Sequence, residues 1–193
     1  MLYISIYKEI EAHGTKVATG LDWEVLVQYV VMMRCILASK RADYKGPFDI
    51  IPVRNECPEF RYIAVPGECK TINELIEYVG QQLKECTTPT LVMITSQYAC
   101  FPIFDGFVWY HAPATSNTAG PTRKIIGYQC KLGNTGTSWI VPDSISKGVL
   151  IRGQPVDTSF NKKKWEFLDT QQITDFVGYS LQPLVPAKWP TIV

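Results

Sequence analysis

Two stretches decide the fold: Phe101–Tyr110, FPIFDGFVWY, and Lys124–Leu132, KIIGYQCKL. Both are dense in aromatic and β-branched residues and bounded by Pro or Gly, the composition of buried strands. A polar stretch with Gly120-Pro121, Ser116–Thr122, separates them and predicts a loop. Upstream, Leu91–Thr95 predicts a third short strand. A helix predicted over Thr71–Glu85 precedes it: Thr71 and Glu74 form a capping box, and Ile72, Leu75, Ile76, Val79 and Leu83 make one stripe. Further out, Leu21–Ser39 reads as the strongest helix, with Asp22 as cap and Val25, Leu26, Tyr29, Val30, Met33, Ile36 and Leu37 at helical spacing. Phe48–Val53, Arg61–Val65 and Gly148–Arg152 predict short strands, and Thr170–Leu181 a last helix. Residues 1–20 read as an N-terminal strand or arm, and 182–193 as a Pro-rich tail. No internal repeat or low-complexity tract interrupts the chain. Strands alternating with helices predict one α/β domain over residues 1–193, with a mixed central β-sheet flanked by helices.

The composition limits function. Of 193 residues 46% are apolar, enough to bury a core. The net charge of +1 excludes a globally basic binder, but the charges are segregated. Residues 123–164 hold eight basic side chains against Asp143 and Asp157, a balance of +6, and the remainder carries −5. A basic block in a neutral chain suits a polyanion-binding surface or a solvated face. Two histidines, His13 and His111, exclude a zinc site built on several His. The six cysteines show no C-x₂-C pair. With no secretory leader apparent at the start, they are expected to be reduced and mostly buried, in a protein working inside a cell. No apolar run reaches the ~20 residues of a membrane span.

One constellation carries chemistry. Asp105 lies in the first of the two decisive stretches, and Gln129 and Lys131, two apart, share a strand face in the second. Paired strands would set the three together. Oxygen ligands from Asp105 and Gln129 suit Mg²⁺ or Mn²⁺. The metal would polarise a phosphodiester and lower the pKa of a bound water, and Lys131 would orient that water or stabilise charge developing on the phosphate. Lys124, Lys147, Arg152, Lys162, Lys163 and Lys164 are the expected contacts to nucleic-acid phosphates.

Asp followed after some tens of residues by Gln-x-Lys resembles the PD-(D/E)XK nuclease superfamily, in the variant of Mrr-type restriction nucleases where Gln replaces the second acid. The resemblance implies a restriction-endonuclease-like αβββαβ core and a metal-holding Glu on the first helix, a position Glu24 matches. The order FPIFDGFV, IIGYQCKLG, KGVLIRGQP and ITDFVGYSLQPLVPAKW also resembles the C-terminal region of Crinkler effectors and retrotransposon hot spot proteins. That likeness spans roughly residues 20–190 and implies an intracellular, nucleus-directed nuclease acting on DNA. The P-loop ATPase that often accompanies such domains has no motif here.

A rival set exists. Asp49 with Glu68 and Lys70 also spells D…E-x-K, with a helix following at once. Against it, only ~10 residues separate the first helix from Asp49, and Pro66-Gly67 suits a turn rather than a strand interior. The Asp105 set is preferred because the basic block surrounds it. Structural readings stand beside the catalytic ones: Asp105 as a turn or bulge residue before Gly106, Gln129 and Lys131 as an exposed strand face, Glu24 as helix surface, Cys130 as core, and Trp109, Trp139 and Trp165 as core or rim packing instead of base-stacking platforms. Two other function classes follow: a catalytically inactive module on the same scaffold that binds DNA or a protein, and an effector acting by protein contact alone.

Overall fold

The computed structural model describes residues 20–52, 56–98, 101–114, 120–131, 140–152, 165–168, 172 and 175–176, with the backbone alone at 20–23, 131, 152 and 167. The elements in chain order are α1 (Gly20–Ala38), a 3₁₀ turn (Pro47–Asp49), β1 (Glu59–Val65), α2 (Ile72–Leu83), β2 (Thr90–Ser96), β3 (Gly106–Ala112), β4 (Thr122–Lys131), β5 (Lys147–Arg152) and β6 (Trp165–Leu168). The six strands form one sheet in sequential order. β1 and β2 are parallel, joined through α2, while β2, β3 and β4 run antiparallel. β4, β5 and β6 are parallel again. Over the described residues the chain is therefore an α/β protein whose mixed six-stranded sheet packs against α1 and α2. No helix among the described residues is long and apolar enough to cross a membrane.

Strand alternation divides the core into two layers. Met93, Val108, Ile126, Tyr128, Cys130 and Val149 face α1. Ile63, Ile94, Phe107, Trp109, Ile125 and Leu150 face α2. α2 follows its expected pattern, burying Ile72, Leu75, Val79 and Leu83, and Thr71 caps it in a reciprocal box with Glu74. α1 does not. Its buried face is Leu26, Val27, Val30, Val31, Cys35 and Ala38, while Val25 and Leu37 are exposed. A helix apolar nearly all round leaves its rotational phase to its partner, the sheet. Asp22 lies inside the first turn instead of capping it.

Other expectations are corrected. The expected strand Phe48–Val53 is not one over its described part, 48–52: Phe48 (φ 57°) and Asp49 (φ 50°) are left-handed, so the segment turns after Pro47. Phe101–Tyr110 becomes strand only from Gly106, and Ile103 before it has φ 72°. β6 was not expected, because WEFL is too short to show a period. The N-terminal arm, the tail and most of the last expected helix lie outside the described residues, although 172, 175 and 176 are helical.

Gly127 is where the β3–β4 ribbon needs its missing side chain. A Cβ there would come to 2.5 Å from Phe104 Cδ1, so the Phe104 ring packs flat on the backbone. Gly106, opposite Tyr128, leaves similar room for the Tyr128 ring and hydroxyl.

Candidate active site

Gly106 pairs with Tyr128 in an antiparallel register, so Asp105 and Gln129 are the next cross-strand pair outward. Gln129 Nε2 donates to both oxygens of the Asp105 carboxylate, at 2.9 Å to Oδ1 and 3.0 Å to Oδ2. The Cys130 N–H donates to Oδ2 at 2.6 Å, and the Asp105 N–H donates to the Tyr128 carbonyl at 2.9 Å. The carboxylate thus extends the ladder by one rung just before β3 begins. Charge-assisted hydrogen bonds of this kind hold a carboxylate in one orientation. Gln129 is 4% exposed and Asp105 is half-buried.

The alternation that places Gln129 on the α2 face places Cys130 on the α1 face, where it is buried. Lys131 ends β4 in parallel register with Arg152, and both side chains lie outside the described residues. Lys162, Lys163 and Lys164 also lie outside them. Glu24 belongs to α1, which packs on the face opposite Gln129. The structure therefore brings Asp105 and Gln129 together and puts the Glu24 helix on the other layer. Among the described residues no three His, Cys, Asp or Glu side chains cluster to hold a metal.

The rival set is divided. Asp49 sits on the α1 side, where its carbonyl accepts from Lys124 Nζ at 3.0 Å and its neighbour Phe48 packs on Tyr128. Glu68 and Lys70 lie in the turn between β1 and α2, three strands from β4, roughly 14 Å across the sheet. Lys70 serves the entry to α2: its N–H donates to the Glu74 carboxylate that closes the capping box.

Two of the expected phosphate contacts already have protein partners. Lys124 reaches the Asp49 carbonyl, and burial together with Lys147 lowers its pKa. Lys147 pairs with Glu166. Trp109 and Trp165 are buried core residues rather than stacking platforms; Trp139 lies outside the described residues. Of the five described cysteines, all free thiols, only Cys35 and Cys130 are buried; Cys57 is exposed.

A Mg²⁺ or Mn²⁺ ion fits this donor set within limits. Mg²⁺ keeps several waters and takes one or two carboxylates plus substrate phosphates, so one carboxylate and one amide oxygen can hold it if the phosphate completes the shell. Gln129 would have to turn its Oε1, instead of its Nε2, toward the ion. No family model, curated protein or solved structure matches the chain.

Proposed function

We propose that the chain is a metal-dependent nuclease domain that hydrolyses phosphodiester bonds of DNA. The observation that carries this reading is the cross-strand contact of Asp105 with Gln129 at the start of β3, with Lys131 two residues further along β4. Topology supports it. From α2 onward the order is helix, three antiparallel strands and a fourth strand parallel to the third, which parallels the restriction-endonuclease-like core. The described part of the β4–β5 connection, 140–146, is not helical where that core has its second helix. On this alignment the core's first helix is α2, so Glu24, on α1, loses the position that suggested it.

Asp105 and Gln129 would hold the ion, which supplies Lewis-acid polarisation of the phosphate and a water of lowered pKa when bound. The Cys130 N–H fixes the Asp105 carboxylate while Gln129 turns. Lys131 serves the attacking water or the phosphate charge.

One observation favours a second reading. Both Asp105 oxygens already accept hydrogen bonds from β4, the arrangement of a carboxylate that closes a strand end. The domain would then bind DNA or a protein without cleaving it. Duplex DNA incubated with the protein and Mg²⁺ or Mn²⁺ decides between them. The nuclease reading expects metal-dependent cleavage, lost in Asp105→Ala and Lys131→Ala. Cleavage undiminished in Asp105→Ala overturns the site. DNA binding with no cleavage, and with no effect of either metal on melting temperature, establishes the inactive module.

A further inference from the structure

A cavity of about 280 Å³ opens on the α2 layer, at the far end of β3 and β4 from Asp105. Gly80, Leu83 and Lys84 line it from the end of α2, Trp109 and His111 from β3, and Pro121 and Arg123 from the start of β4. His111 and Arg123 are directly opposite each other in the β3–β4 register. The Arg123 guanidinium lies 5.4 Å from the centre of the Trp109 ring, which orients it over an apolar floor.

The charge at this cavity is of one sign. Lys84, His111 and Arg123 converge on it, and none has a carboxylate in ion-pair contact among the described residues. Arg123 is the permanent charge on the strand side, and the His111 imidazole opposite it is a hydrogen-bonding group. Burial, and after it the neighbouring Arg123, lowers the His111 pKa, so the imidazole is held toward its neutral form until an anion beside it raises the pKa.

We infer that this cavity is a binding site for a nucleotide phosphate ester, with Arg123, His111 and Lys84 on the phosphate and the exposed Pro121 against the sugar, above a floor closed by the buried Leu83 and Trp109. Arg supplies the fork that matches phosphate oxygens. The volume suits a phosphate with one attached ring system and little more. The source is either a free nucleotide or the terminal phosphate of a nucleic-acid strand, since both present the same chemistry. His111 lies six positions beyond Asp105, about 20 Å along the strand, so the site is distinct from the candidate active site and does not depend on the nuclease reading.

The chain has two histidines, which makes His111 a clean reporter in NMR, with His13 as internal reference and His111→Gln for assignment. Titration of the full chain with a nucleoside 5′-monophosphate is expected to shift the His111 ring signals saturably and raise its titration midpoint. Arg123→Glu, at an exposed position, is expected to abolish both effects at unchanged melting temperature, and Arg123→Lys to weaken them. Asp105→Asn is expected to keep them, which separates failure here from failure of the nuclease site. A 5′-phosphorylated single strand binding about tenfold tighter than its 5′-hydroxyl counterpart identifies the strand end as the source. Equal binding of those two strands, with the mononucleotide effect intact, identifies the free nucleotide. Unmoved His111 signals, a shift matched by chloride at equal ionic strength, or an equal shift in Arg123→Glu overturns the inference.

Discussion

Asp105 does two things that no pattern in the sequence separates: it closes the β3 ladder and faces Gln129 across the ribbon. Whichever function it serves, the carboxylate is structurally engaged, and Asp105→Ala leaves the Cys130 N–H and the largely buried Gln129 amide without that acceptor. We expect a loss of about 1–3 kcal/mol in chemical denaturation. Gln129→Glu places a second carboxylate against Asp105. It should lower stability without metal and recover it with added Mn²⁺ if the pair can hold a cation; no recovery would speak against metal binding. Gly127→Ala forces a Cβ into the Phe104 ring and should cost about 1–3 kcal/mol by the same measurement. The Tyr128 hydroxyl is buried with no hydrogen-bond partner among the described residues. Tyr128→Phe should therefore leave stability unchanged or raise it by about 1 kcal/mol, and a clear loss would reveal a partner. The His111 pKa lies below its ordinary 6.5, so between those two values the unfolded chain binds more protons than the folded one. Stability from this group is complete above pH 6.5 and falls as the pH drops toward the folded value; His111→Gln should flatten that limb of melting temperature against pH.

The two helices show how differently an element can be legible. In α2 the apolar residues form one narrow stripe and the capping box marks the start, so the sequence states both the helix and its buried face. Thr71→Ala removes half of the box, and thermal unfolding should show a loss of about 1 kcal/mol. In α1 the length is legible and the buried face is not, because apolar residues surround it and only the sheet decides which of them it covers. The strands β2, β4 and β5 follow their apolar runs to within two residues at each end. The Phe48 segment fails because local composition cannot report two successive left-handed residues; Phe48 is held there by stacking on Phe176 and packing on Tyr128. That Asp105 falls before β3 and not inside it follows from the turn at Ile103, which also leaves no strand signal.

Across the fold, charge asymmetry along the chain and charge asymmetry in space are different quantities. The basic block of residues 123–164 suggested a row of phosphate contacts, yet Lys124 and Lys147 are bound to Asp49 and Glu166. Arg123, from the same block, instead meets Lys84 and His111 from elsewhere in the chain at the α2-layer cavity. If DNA is bound, its affinity should fall with salt at a log–log slope of about −0.9 per phosphate contact, and Arg123→Ala should reduce the slope by about one. What was readable in advance rests on local physics: alternation for β3 and β4, which also puts Gln129 on one face and the adjacent Cys130 on the other, and a cap and a stripe for α2. Only tertiary structure decided that Asp105 and Gln129 meet while Asp49 and Glu68 do not, because cross-strand register and sheet order are set by the packing of all six strands. The same packing set the phase of α1, and it joined the end of one helix to two strand ends to make a cationic cavity that no contiguous stretch of sequence contains.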